Sequence, residues 1–79
     1  MDTLNKDSFM ECYHIPYPTN IKFMRLQIKG LSKDNKHVSA MLHFLNCLEE
    51  NESGMVYGML TSALNKYIEE NTNYNMSDY

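Results

Sequence analysis

The sequence predicts a mostly α-helical chain with one N-terminal strand, completed by a second copy of itself. Three observations lead there. Residues 21–28, Ile-Lys-Phe-Met-Arg-Leu-Gln-Ile, place Met24, Leu26 and Ile28 on one face at period two, and Phe23, Arg25 and Gln27 on the other. Two later stretches, about 36–50 and 54–70, repeat apolar residues at three- and four-residue intervals, the spacing of an amphipathic helix. The chain has only 79 residues, and a domain of that order buries roughly 60% of its unfolded surface, which leaves it marginal alone. A lone strand cannot satisfy its own backbone N–H and C=O groups. Pairing with the same strand of another copy is the economical solution.

Taken in order, residues 1–20 read as an N-terminal arm. Asp2, Thr3, Asn5, Lys6 and Asp7 are expected in solvent. Phe9, Met10, Cys12, Tyr13 and Ile15 are apolar enough to pack over the main body. A short helix over residues 5–13 is the alternative. Pro16 and Pro18 resist helix continuation, and the residues before them favour extended backbone. The strand-helix-helix dimer domain then spans 21–70. After the strand, residues 29–36 form a turn, and Asp34 or Asn35 can cap the first helix. Val38, Met41, Leu42, Leu45 and Leu48 are its apolar stripe. Residues 49–54 break that pattern, and Ser53 can cap the second helix, whose stripe is Val56, Leu60, Leu64 and Ile68. With Met24, Leu26 and Ile28, these residues form the expected dimer core. Gly58 inside the second helix costs about 1 kcal/mol relative to alanine, a cost that close approach of a neighbouring backbone would explain. Residues 71–79 are a polar, flexible tail whose Tyr74, Met76 and Tyr79 are available to a partner.

Composition narrows the function classes. Nine aromatic residues and 43% apolar residues oppose wholesale disorder. The formal net charge of −3 is unevenly spread. Lys22, Arg25, Lys29, Lys33 and Lys36 face only Asp34 within 22–36, whereas 37–79 is acidic except for Lys66. Cys12 and Cys47 form no Cys-x-x-Cys pair, and His14, His37 and His43 add no ligand spacing. Neither a phosphate-binding Gly-x-x-x-x-Gly-Lys loop nor a His-Glu-x-x-His motif occurs. The expectation is therefore no metal, no cofactor and no enzyme activity. No apolar run reaches membrane-spanning length, and a cytoplasmic protein, in a bacterial cell or an infected host cell, is expected.

Lys22-Phe23-Met24-Arg25-Leu26-Gln27-Ile28, followed by Leu60-Thr61-Ser62-Ala63-Leu64-Asn65-Lys66-Tyr67-Ile68, resembles the ribbon-helix-helix family of bacterial, plasmid and phage DNA-binding proteins. The segment Asp34 to Leu48 is most similar to that family's centromere-binding adaptors of plasmid partition systems. The resemblance covers residues 22–70. It departs at Ser53-Gly54-Met55-Val56-Tyr57, where many relatives carry Gly-x-Ser-x-Ser. It implies an intertwined homodimer that inserts a two-stranded ribbon into the DNA major groove. By position, Phe23, Arg25 and Gln27 would read bases, with Arg25 suited to guanine and Gln27 to adenine. Lys22, Lys29, Lys33 and Lys36, with the backbone at Ser53, Gly54 and Met55, would meet phosphates. The expected function is sequence-specific binding of double-stranded DNA, as a transcriptional regulator or a plasmid or phage site-binding protein. The alternative is a small virus- or mobile-element-encoded protein that binds and inhibits a host protein complex.

Overall fold

In the computed structural model, the segment expected as a strand is a helix. The structure describes the backbone of residues 4–76 and the side chains of residues 4–71. Along it run α1 (Lys6–Glu11), a 3-10 turn (Cys12–His14), α2 (Thr19–Ile28), α3 (Lys36–Glu50) and α4 (Gly54–Met76). No strand occurs among the described residues. The ribbon-helix-helix architecture, and the shared ribbon of an intertwined dimer, are therefore corrected to an all-helical chain.

The physical reason lies in residues 21–28 themselves. Ile21, Met24 and Ile28 fall at i, i+3 and i+7, a helical stripe as regular as the alternating face. These three are buried, while Leu26, expected beside them, is 56% exposed. Lys22, Met24, Arg25, Leu26 and Gln27 are all good helix formers. A helix also closes its own backbone hydrogen bonds. The argument that this segment requires a second copy then disappears. Pro16 and Pro18 precede α2 and do not interrupt it. Their carbonyls accept from the Asn20 and Ile21 N–H groups at 3.1 Å, so the prolines supply acceptors where no proline N–H is needed.

The other helices start where side-chain caps are available. Asn5 Oδ1 accepts from the Ser8 N–H at 3.0 Å. Asn35 Oδ1 accepts from the His37 and Val38 N–H groups at 2.8 and 3.2 Å. Ser53 Oγ accepts from the Val56 N–H at 3.4 Å. Each satisfies a donor that the first helical turn would leave unpaired.

Helices α3 and α4 pack most extensively, as a short three-residue break requires of antiparallel neighbours. Val38, Met41, Leu45 and Leu48 of α3 meet Leu60, Ala63, Leu64 and Tyr67 of α4 in one buried cluster. Helix α2 adds Ile21, Met24 and Ile28, and the N-terminal segment adds Leu4, Phe9 and Cys12. Of the residues expected in the core, Leu42, Val56 and Ile68 are only partly buried. Helix α4 continues to Met76, past the boundary expected near residue 70. The side chains of Tyr74 and Met76, and all of Tyr79, lie outside the described residues.

Tyrosines fasten the N-terminal segment to this hairpin. The Tyr13 hydroxyl lies 2.6 Å from Thr61 Oγ1. Tyr17 donates at 2.7 Å to the Leu48 carbonyl, one of the terminal α3 carbonyls that has no partner within the helix. The buried Asn20 Nδ2 donates at 2.8 Å to the Tyr57 hydroxyl, which donates in turn to Glu52 at 3.2 Å. Burial pushes the Tyr13 and Tyr57 phenols above their ordinary range, so both remain proton donors at neutral pH.

Candidate functional site

Once residues 19–28 wind into a helix, Lys22, Arg25, Leu26 and Lys29 fall at i, i+3, i+4 and i+7 and share one face. That face looks across to Leu42 and Asn46, one turn apart on α3. Lys33, in the turn between the helices, closes one end. These residues, with Ile28, line a cleft of about 450 Å³, within the size range of ligand pockets. Leu26 and Leu42 supply its apolar surface, and three lysines surround it.

Arg25 is already engaged. Its guanidinium is 3.0 Å from the Glu49 carboxylate and donates to Asn46 Oδ1 at 3.1 Å. It therefore ties α2 to α3 along the cleft wall. Lys22, Lys29 and Lys33 remain as the cations with side chains exposed to solvent. An apolar floor with a lysine rim selects a ligand with an apolar side and carboxylates or phosphates along its edges.

The helix separates the expected base readers. Phe23 and Gln27 lie on the other side of α2 from Arg25, lining a shallow groove with Ser8, Glu11, Cys12 and Ile15. The three therefore present no common reading edge. With no ribbon among the described residues, insertion into a major groove, and with it the expected sequence-specific DNA function, is corrected. The expected phosphate contacts also divide. Lys22, Lys29 and Lys33 line the cleft. Lys36 stands near Glu70, and Ser53, Gly54 and Met55 stand at the start of α4, outside the cleft.

Sequence reasoning places Leu26 and Leu42 in the core and passes over Asn46. The signal that finds Leu26 is the helical spacing of Lys22, Arg25, Leu26 and Lys29, visible only when that segment is read at 3.6 residues per turn, whereas no local signal marks Leu42 and Asn46 as facing it. The two cysteines are free, and burial pushes the Cys12 thiol above its ordinary range, which suits a small core residue better than a nucleophile. Among the described residues, no three His, Cys, Asp or Glu side chains group as metal ligands do. No helix among them is long and apolar enough to cross a membrane. No protein family, curated protein or solved structure matches this chain.

Proposed function

We propose that this chain is a small protein-binding module that holds an acidic, amphipathic segment of a partner protein in the α2–α3 cleft. The observation that carries the reading is Leu26, a large apolar side chain that lines the cleft yet is 56% exposed, with Lys22, Lys29 and Lys33 lining it too. A helix laid in a groove buries leucine-like anchors at i, i+3, i+4 and i+7. Glutamates flanking those anchors would meet the lysine rim. Phosphodiester backbone makes poor use of the same surface, because an exposed leucine offers it nothing. The one arginine there is also neutralised by Glu49. The module itself supplies recognition, and any reaction belongs to the partner.

The test is a titration of the isotope-labelled chain, followed by backbone amide shifts. The probe is a synthetic helical peptide with leucines on one face and glutamates beside them. A lysine-for-glutamate version of the peptide and a DNA duplex serve as comparisons. Saturable shifts confined to α2, residues 29–35 and the Leu42–Asn46 turn of α3 are expected for the acidic peptide alone. Leu26→Glu should abolish them, and added salt should weaken them. Equal response to the basic peptide, or tighter binding of the duplex at the same residues, overturns the reading.

A further inference from the structure

Helix α3 is engaged on three sides. Val38, Met41, Leu45 and Leu48 fill the core. Asn46 and Glu49 hold Arg25 of α2, and Ala40 and Phe44 share a groove with Met59 and Ala63 of α4. The side left over carries Ser39, His43 and Glu50, all exposed, with Cys47 half-buried among them. Cysteine is among the residue types most often fully buried, so a free one on a solvent-facing side stands out. His43 and Cys47 are four residues apart, one turn of helix, and so lie one above the other. Their side chains converge, with His43 Nε2 3.8 Å from Cys47 Sγ.

A thiol is a weak hydrogen-bond donor, so that contact by itself holds the two groups loosely. The same two atoms are a ligand pair that zinc-type ions select. A tetrahedral ion of this type stands about 2.3 Å from a thiolate sulfur and about 2.0–2.1 Å from an imidazole nitrogen, which puts the two ligand atoms about 3.6 Å apart. The observed 3.8 Å needs to close by only about 0.2 Å. We propose that His43 and Cys47 form a two-ligand site for a thiophilic metal ion such as Zn2+. The neutral imidazole lends its Nε2 lone pair, and the thiol loses its proton to solvent as the sulfur–metal bond forms. Among the described residues no third His, Cys, Asp or Glu joins the pair. The two remaining positions of a tetrahedral ion fall to water, so the ion is exchangeable, unlike one in a closed structural site. The place along the helix favours a cation too. Cys47 lies in the last turn of α3, whose carbonyl end carries partial negative charge, and Glu50 follows three residues later. Neither ligand lines the α2–α3 cleft, and the inference stands without it.

The experiment is a titration of the reduced full chain with Co2+, a spectroscopic substitute for zinc, followed in the near ultraviolet and visible. A saturable sulfur-to-cobalt charge-transfer band is expected, and added Zn2+ should remove it. Cys47→Ser should abolish the band. The buried Cys12 remains in that variant and should not take its place. His43→Gln should weaken cobalt binding. Both substitutions lie on the solvent-facing side of α3, and circular-dichroism melts control for folding. A wild-type chain with no charge-transfer band overturns the proposal. So does a band that survives Cys47→Ser, or an affinity that His43→Gln leaves unchanged, the mark of a single thiolate with no second ligand.

Discussion

Helices α2 and α4 both expose large apolar side chains, but in different company. Leu26 on α2 is surrounded by lysines, whereas Met55 and Met59 on α4 stand among glycine and serine with no charge for three turns. The difference concerns what each face can accept. A rim of one sign repels a copy of itself and selects a partner of opposite charge. An uncharged face neither repels nor selects by charge, and shape alone decides what it accepts. Exposed apolar area alone would not separate these cases, since surface leucines and methionines are common. The neighbouring charges separate them.

The broadest way to break the comparison is to remove the support both faces share. Leu45 of α3 is completely buried among residues of α2, α3 and α4. Leu45→Ala should cost about 2–5 kcal/mol, the transfer term plus the cavity left behind. Urea unfolding measures it. Peptide binding should fall together with stability in this variant, in contrast to the face-specific effect of Leu26→Glu.

Gly58→Ala sharpens the comparison because it tests how open the α4 face is. The added methyl meets nothing within 4 Å in the single chain, and the helix interior should gain about 1 kcal/mol. The urea midpoint should therefore rise. An unchanged or lowered midpoint would mean that the methyl meets a neighbour on the α4 face.

Legibility in the sequence follows how many independent signals each element carries. The α3–α4 hairpin is readable because Val38, Met41, Leu45 and Leu48, then Leu60 and Leu64, sustain one period over several turns. Asn35 and Ser53 mark their starts. Helix α2 is not, because eight residues fit both periods, and Ile21, Phe23 and Ile28 lend it a strand-like look. The misreading then propagates. Leu26 enters the core, Arg25 becomes a base reader, and a second copy becomes necessary to complete a sheet. The basic concentration within 22–36 is visible in the sequence, but its shape is not. Only the helix brings Lys22, Lys29 and Lys33 to one cleft and turns Phe23 and Gln27 away. The pairing of Arg25 with Glu49 joins residues distant in sequence and has no local signature.

Arg25→Ala tests how that ion pair divides scaffold from binding surface. Both partners are partly exposed, so the loss of stability should be only about 0.2–1 kcal/mol. Glu49 would then stand unpaired at the edge of the cleft. Affinity for the acidic peptide should fall more than folding stability does, because the variant adds a net negative charge beside the lysine rim. Peptide titration and urea unfolding of the same preparation give the two numbers to compare.

The smallest expected effect concerns the end of α4. His37 beside Glu70, aided by Lys36 and Lys66, holds the Glu70 carboxyl below its ordinary value of 4.5. A carboxyl lowered in the folded state contributes stability above its unfolded pKa and loses it as pH falls through the folded value. Wild type should therefore exceed Glu70→Gln slightly at neutral pH, with the difference closing under acid. Urea midpoints of both proteins from pH 7 down to about pH 3, a window spanning the ordinary carboxylate range, make the comparison. Glu70 is solvent-exposed, so added salt should shrink the difference as well. A difference that persists unchanged in acid would mean that the Glu70→Gln substitution disturbs packing, and that the His37 contact contributes little to holding α4 against α3.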